Sequence, residues 1–422
     1  MEVLIQHSNI LIAIAVIIGF LMACGIGAND VANAMATSIG TKSLTVIQAL
    51  IIAAIFEFLG AYLAGGEVVN TIKDGIVDNS AFSGQPINLI LGMISALFAA
   101  GTWLILASIL GWPVSTTHSI IGAVIGFSLL TVGSDAIQWN MLWGILGSWF
   151  ITPVMSGILA YLLFMSVQIA IFRHYHPLEH AKRIAPLYIA VTFFTLSIIT
   201  IKSGLKHIGI ELSNQNSIYV ALGISVLTAL IGKFFINRIK FEKNIKRKHY
   251  VNVEKVFTVL MIVTACAMAF AHGSNDVANA IGPLSAVVAS VQNGTDITSS
   301  TGNTQEWWIL PLGALGIVIG LATLGYKVMK TVGVKITQLT PSRGFSAQLA
   351  TAITVVIASA TGLPISTTQT LVGAIIGVGL AKGIAAINLT VIRNIFSSWI
   401  ITLPSGAILA IAFFKLLSLI FA

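Results

Sequence analysis

The sequence predicts an all-α polytopic membrane protein, an inverted-repeat bundle of about twelve crossings with broken helices or hairpins at two pairs of motifs. Three observations carry that expectation. Hydrophobic residues make up 56% of the 422-residue chain, while Asp, Glu, Lys and Arg together make up 9%. An ordinary soluble domain carries about 25% charged residues. So little charge cannot cover a globular surface in water, which sets aside a soluble enzyme, a disordered tail and a nucleic-acid binder. The second observation is a series of apolar runs of near-spanning length. The third is that two short motifs each occur twice.

A spanning helix needs about 20 apolar residues. Runs of that kind fall at 10–28, 45–66, 87–110, 114–132, 141–172, 186–204 and 217–236, then at 255–272, 307–326, 345–361, 363–381 and 390–418. A β-barrel would show short alternating segments instead. Glu2 stands where a leader would carry basic residues, and no small-residue cleavage site follows Cys24. Residues 10–28 therefore read as a first span rather than a removed signal peptide. Cys24 and Cys266, the two cysteines, both lie in apolar runs and read as buried small hydrophobes, not as a disulfide or metal pair.

The basic residues set the direction. With the N-terminus outside and alternating crossings, 18 of the 22 Lys and Arg residues fall on one side. They are Lys42, Arg173, Lys182, Arg183, eight residues from Lys233 to Lys255, Lys327, Lys330, Lys335, Arg343, Lys382 and Arg393. The positive-inside rule makes that side cytoplasmic. Both termini are then expected outside, with the 233–255 loop in the cytoplasm. The expected location is the plasma (inner) membrane of a prokaryote. The net charge of +8 follows from the same bias and carries no information about an anionic partner. Lys246-Arg247-Lys248 reads as a connector beside anionic lipid rather than a nucleic-acid patch.

The chain repeats itself. Gly27-Ala28-Asn29-Asp30-Val31-Ala32-Asn33-Ala34 matches Gly273-Ser274-Asn275-Asp276-Val277-Ala278-Asn279-Ala280 at seven of eight positions, with an offset of 246. Gly111-Trp112-Pro113-Val114-Ser115-Thr116-Thr117-His118 matches Gly362-Leu363-Pro364-Ile365-Ser366-Thr367-Thr368-Gln369 at offset 251. Ser148, Trp149 and Thr152 match Ser398, Trp399 and Thr402 at offset 250. The chain divides into a first repeat at 1–172, linking spans at 173–236, a basic loop at 237–254 and a second repeat at 255–422. Under the charge argument, equivalent spans run in opposite directions. Inverted repeats are a common architecture of secondary transporters, with the substrate near the midplane between them.

An Asp at membrane depth costs a few kcal/mol and by default marks function. Asp30 and Asp276 stand at equivalent places, flanked by Asn29, Asn33, Asn275 and Asn279. Gly27 and Gly273 permit a helix break. Carboxylate and amide oxygens, with carbonyls freed at such a break, make a hard-oxygen site for a small cation, sodium above all. The alternative is that these residues cap helix ends inside the bundle.

In the second motif, Pro113 and Pro364 stop or start a helix, and Ser115, Thr116, Thr117, Ser366, Thr367 and Thr368 follow. Free N–H groups and the dipole at a helix N-terminus favour an anion, and the hydroxyls add donors. Two copies aimed at one point suit a tetrahedral oxyanion; plain N-capping is the alternative. No Lys or Arg lies near either motif, so cations must balance the anion, which predicts symport. His118 adjoins the hydroxyls, but its counterpart is Gln369, so a hydrogen-bonding role suits both. His272 precedes the second Asn-Asp motif and matches Ile26, so it is not a symmetric element. Glu57 is the remaining acid deep in a span and is expected to be functional. Trp103, Trp139, Trp143, Trp307 and Trp308 read as interface or packing residues. The sequon Asn293-Gly294-Thr295 carries little weight.

The doubled Gly-x-Asn-Asp-Val-Ala-Asn-Ala and Pro-x-Ser-Thr-Thr motifs, with Thr340-Pro341-Ser342-Arg343-Gly344-Phe345, resemble the inorganic phosphate transporter (PiT) family over about 10–418. The resemblance implies cation-coupled phosphate symport, with sodium in many members and protons in others. It implies Asn-Asp motifs near the cation sites, Ser-Thr-Thr hairpins around phosphate and a transport role for Glu57. Gln369 stands where many members have His, and Gln348 where some have Glu. Both changes remove titratable groups and fit sodium better than strict proton coupling. The expected partners are phosphate, sodium or a proton, membrane lipids and a second copy of the chain, with no nucleic acid and no cofactor beyond the coupling ion. A sulfate symporter of the same fold and a phosphate-permeable anion channel are the alternatives. An intramembrane enzyme lacks a nucleophile–base pair and would leave the duplication unexplained.

Overall fold

The computed structural model describes residues 2–110, 112, 114–203, 205, 209–210, 212–241, 248–293, 307–326, 328–329, 339–383 and 389–421, with backbone alone for 2–6, 248–249, 293 and 389–399. Pro113, Lys246, Arg247 and the sequon's Gly294 and Thr295 lie outside the described residues, as do Lys206, Lys327, Lys330, Lys335 and the side chains of Arg393, Ser398 and Trp399.

Most of the described residues lie in helices. The helices are α1 (Glu2–Gly40), α2 (Val46–Ala64), α3 (Gly66–Asp74), α4 (Pro86–Leu110), α5 (Thr116–Thr131), α6 (Trp139–Val167) and α7 (Pro177–Lys202). They continue as α8 (Asn214–Arg238), α9 (Lys248–Asn293), α10 (Ile309–Thr323), α11 (Pro341–Ala360), α12 (Thr367–Lys382) and α13 (Leu389–Phe421). Among the described residues the only β pairing is one isolated bridge, Val77 to Ile137. Each apolar run read from the sequence holds a helix; α3 is an addition.

Local chemistry sets many of the helix starts. Thr45 and Gln48 form a capping box on α2, Ser213 caps α8, and Pro177 and Pro341 occupy first turns, where a missing N–H costs nothing. Nine of the described helices are long and apolar enough to cross a bilayer. By contrast α5, α10 and α12 have 16, 15 and 16 residues. At 1.5 Å per residue, 16 residues reach about 24 Å, short of a hydrocarbon core of about 30 Å. The two Ser-Thr-Thr helices therefore start inside the protein, each as the second arm of a hairpin: α4–α5 and α11–α12.

The Asn-Asp motifs differ from expectation. Neither helix breaks: α1 runs unbroken through Gly27 and α9 through Gly273. Both motifs sit in helix interiors, so their Asn and Asp residues do not cap α1 or α9 themselves. The glycines serve close approach instead. A Cβ on Gly27 would lie 1.9 Å from the Ile317 carbonyl oxygen of α10, and one on Gly273 would lie 2.2 Å from the Glu57 carbonyl oxygen of α2. The partner helices answer with their own glycines. A Cβ on Gly320 would lie 1.9 Å from the Cys24 carbonyl oxygen, and one on Gly60 would lie 2.0 Å from that of Phe270. Neither glycine frees a carbonyl by a break; it is Pro283, inside α9, that lacks the N–H which its i−4 carbonyl, that of Asn279, would otherwise accept.

These crossings follow one pattern. Helix α1 packs on α10 and α4, while α9 packs on α2 and α11. Likewise α5 packs on α13, and α12 on α6. Each helix of one sequence repeat thus finds a partner in the other, and the same pairing occurs with the roles exchanged. Small residues at these crossings let backbones touch, which is how helices associate where lipid gives no hydrophobic drive. Helices α7 and α8 pack mainly on each other at the periphery.

Candidate functional site

Helix geometry gathers the motif residues. Side chains at i, i+3 and i+4 share a face. That puts Asp30 and Asn33 together on α1, and His272, Asp276 and Asn279 together on α9. All are buried, at 3% exposure or less. The hydroxyl residues Ser115, Thr116, Thr117, Ser366, Thr367 and Thr368 are equally buried, at 5% or less.

The two sets meet across the repeats. Asn33 Nδ2 donates to Thr368 Oγ1 at 2.8 Å, to Thr367 Oγ1 at 3.4 Å and to Asp30 Oδ1 at 3.2 Å. Asn279 Nδ2 donates to Thr116 Oγ1 at 3.3 Å and Thr117 Oγ1 at 3.2 Å. Thr367 Oγ1 donates to Asp276 Oδ2 at 2.9 Å, and Thr117 Oγ1 to the Ile365 carbonyl at 2.9 Å. The Asn-Asp motif of each half therefore holds the hydroxyls of the opposite half, and Thr367 also reaches the Asp276 carboxylate of its own half.

The serines do a different job from the threonines. Ser115 Oγ accepts from His118 N and Ser366 Oγ from Gln369 N, each at 3.3 Å. These are N-caps on α5 and α12. The capping reading thus describes Ser115 and Ser366, and the two capped helix N-termini adjoin the threonine hydroxyls.

The four asparagines also divide. Asn29 Nδ2 donates to the Trp112 carbonyl at 2.9 Å and Ser108 Oγ at 3.3 Å, and its Oδ1 accepts from Val114 N at 3.2 Å. Asn275 repeats this on the other hairpin, with Leu363 O at 3.1 Å, Ser359 Oγ at 3.2 Å and Ile365 N at 3.3 Å. Asn29 and Asn275 hold the hairpin turns, whose backbone groups would otherwise be buried without partners. Asn33 and Asn279 remain at the carboxylates.

His272 is the residue that sequence reasoning undervalued. Its Nε2 lies 2.8 Å from Asp276 Oδ2 and 3.9 Å from Asp30 Oδ2, and its Nδ1 lies 3.3 Å from Glu57 Oε1. Among the described residues, the ion-pair contacts of all three acids go to this one imidazole. Its i, i+4 spacing to Asp276 was the available signal. The equivalent positions on the other side carry Ile26 and Ile317, since the Ile317 carbonyl meets Gly27 as the Glu57 carbonyl meets Gly273. The polar pair on one side is an apolar pair on the other.

The remaining expected residues fall nearby. Gln348 Oε1 accepts from Thr264 Oγ1 at 2.9 Å and Ser38 Oγ at 3.3 Å, and its Nε2 donates to the Ala34 carbonyl. It joins α1, α9 and α11 without a charge. The His118 ring stacks on Trp149 at 3.7 Å, and Trp149 Nε1 donates to the Pro364 carbonyl at 3.3 Å.

The donor set fits a hard cation. Asp276 Oδ1, Asn279 Oδ1 and Gln369 Oε1 are buried oxygens without a hydrogen bond, and ligand atoms of Asp30, His272 and Asp276 lie within 4.8 Å of one another. Carboxylate and amide oxygens suit cations of this kind.

The phosphate transporter family model matches residues 26–410. A Haemophilus influenzae protein named "Putative phosphate permease" is 56% identical over 421 residues, covering all of both chains. A Chlamydia trachomatis protein of the same name is 40% identical over 430 residues, covering 98% of this chain and 99% of its own. A solved structure titled "The sodium-dependent phosphate transporter" superposes with a TM-score of 0.90 at 40% identity, covering 97% of this chain and 99% of its own. These are transporters and permeases, not enzymes. With nine described helices fit to cross a bilayer, the chain is an integral membrane protein, and it belongs to the phosphate transporter family.

Proposed function

We propose that the chain imports inorganic phosphate by symport with sodium, through alternating access between two inverted repeats. The observation that carries this is the cross-repeat cluster. Two helix N-termini and four threonine hydroxyls gather beside two carboxylates: Asn33 bridges Asp30 to Thr368, Thr367 donates to Asp276, and Asn279 holds Thr116 and Thr117. Phosphate binds at Thr116, Thr117, Thr367 and Thr368, with the α5 and α12 N-termini held by Ser115 and Ser366. Sodium binds at Asp30 and Asp276, with Asn33 and Asn279 as neutral partners. The cation neutralises carboxylates that would otherwise repel the anion. Each ion therefore stabilises the site for the other, and neither crosses alone. Rocking of one repeat against the other exposes the midplane site to each side in turn, with both termini outside and the 233–255 loop cytoplasmic in a prokaryotic plasma membrane. No cofactor takes part.

Acceptor oxygens beside the hydroxyls, Asp276 Oδ1 and Asn279 Oδ1, favour phosphate over sulfate. Phosphate keeps a proton to donate near neutral pH, and sulfate does not. The proton is the second reading for the coupling ion, and His272 is the observation that favours it. An imidazolium there acts as a built-in cation, whereas an imidazole leaves three carboxylates to external ions.

The test is radiolabelled phosphate uptake into proteoliposomes under an imposed sodium or proton gradient, with sulfate as competitor. Sodium-driven accumulation that excess sulfate leaves intact is expected. Uptake indifferent to both gradients would indicate an anion channel and refute symport.

A further inference from the structure

A cavity of about 310 Å³ lies between α7, α8 and α9, away from the site described above. Ile189 and Phe193 of α7, Thr228 and Phe235 of α8, and Val259 and Cys266 of α9 are among its walls. Its one hydroxyl asks nothing of a ligand: Thr228 Oγ1 donates to the Ile224 carbonyl at 2.9 Å and the Ser225 carbonyl at 3.0 Å. An apolar cavity of about 150 Å³ stays dry and accepts a benzene ring, so this one has room for a longer piece of hydrocarbon. It exists because α8 packs on α7 and barely reaches α9.

One end of the cavity is basic, and three helices agree on which end. On α7, Lys182 precedes Ile189 by seven residues, two turns along the same face. On α9, Lys255 precedes Val259 by four residues, one turn along the same face. Helix α8 connects onward from α7 and runs back toward this end, where Lys233, Arg238 and Lys240 follow Gly232. Lys182 Nζ lies 4.0 Å from the centre of the Phe241 ring and Arg238 lies 4.2 Å from that of Phe234. These aromatics anchor cations at the depth of an interface. Among the described residues the acids at this end are Glu179, exposed on α7, and Glu254, whose carboxylate accepts from Ser342 N and Oγ.

We propose that this cavity binds one acyl chain of an anionic phospholipid, whose headgroup is held by Lys182 and Lys255. In a bilayer an apolar cavity gains little over the surrounding acyl chains. Selectivity must therefore come from the charged rim and fall on the headgroup. Each lysine near a membrane surface strengthens anionic-lipid binding roughly fivefold, so two of them give a preference on the order of twenty-fold.

Native mass spectrometry of the full-length delipidated protein tests this, with phosphatidylglycerol and phosphatidylcholine of equal chain length supplied in competition. The wild type is expected to retain one phosphatidylglycerol, at on the order of twenty-fold preference. Lys182→Gln with Lys255→Gln should still bind lipid but with the preference lost. Cys266→Trp or, should that variant not fold, Thr228→Phe fills the cavity and should abolish retention. Equal retention of both lipids by the wild type overturns the proposal, as does undiminished retention by a filled variant. A wild-type dimer without lipid that splits when the cavity is filled also overturns it, and assigns the face to a second copy.

Discussion

Gly273→Ala is the sharpest probe of how packing holds the charge cluster. A Cβ there would lie 2.2 Å from the Glu57 carbonyl oxygen and 2.9 Å from its carbon. A relaxed C···O contact is about 3.3–3.6 Å, so α2 must retreat by about 1.1–1.4 Å. Glu57 is the residue that moves. Its 3.3 Å approach to His272 Nδ1 would open to roughly 4.5 Å, beyond direct contact. Overpacking of this kind costs about 1–3 kcal/mol, within a usual stability margin of about 5–15 kcal/mol, so the variant should insert and fold. A displacement of about 1 Å in a tuned site costs on the order of a hundredfold in rate. The assay is sodium-driven phosphate uptake per inserted molecule, with a thermal melt on the same preparation. Gly223→Ala on the exposed face of α8, where an added Cβ meets nothing within 4 Å, should be silent in both. Near-normal uptake by Gly273→Ala would refute the idea that this crossing sets the cluster.

Asp30→Asn and Asp276→Asn should each abolish gradient-driven uptake while the protein still inserts; normal transport in both would move the cation site elsewhere. Glu57→Gln and His272→Gln should each reduce uptake at least about tenfold, and the double variant should be no worse than the single ones, because the two side chains act as a pair. A pH profile of His272→Gln separates the coupling ions, since a flattened profile with sodium dependence retained assigns the proton to this imidazole. Asn29→Ala and Asn275→Ala each strand buried backbone groups of a hairpin turn, at about 1–3 kcal/mol. Both should lower the melting temperature more than Asn33→Ala or Asn279→Ala, which should act mainly on phosphate affinity.

The helices and their repeats were legible because hydropathy and self-similarity are local properties. The continuity of α1 and α9 was not. A glycine beside a buried acid reads equally well as a break or as a close crossing, and only the opposing carbonyls of Ile317 and Glu57 decide between them. The hydroxyl motif was read correctly as two buried helix starts, since Ser followed by an apolar run has few other meanings. The division of labour among the asparagines was hidden. Asn29 and Asn33 differ by one helical turn, and which one faces a hairpin turn depends on a partner some 80 residues away. Repeat symmetry gives His272 no weight, because its counterpart is an isoleucine; the three acids that converge on it come from three separate stretches of the chain.

That departure from symmetry bears on energetics. Two identical copies related by a two-fold axis would make the outward-open and inward-open forms superposable by that rotation and equal in free energy. A resting transporter would then divide its time evenly between them. With His272 and Glu57 on one side and Ile26 and Ile317 on the other, the proposed cycle has unequal end states. Wetting one crossing hydrates a polar pair, while wetting the other exposes bare hydrocarbon. In the proposed cycle, this one difference between the halves is what would give the transporter a preferred resting side.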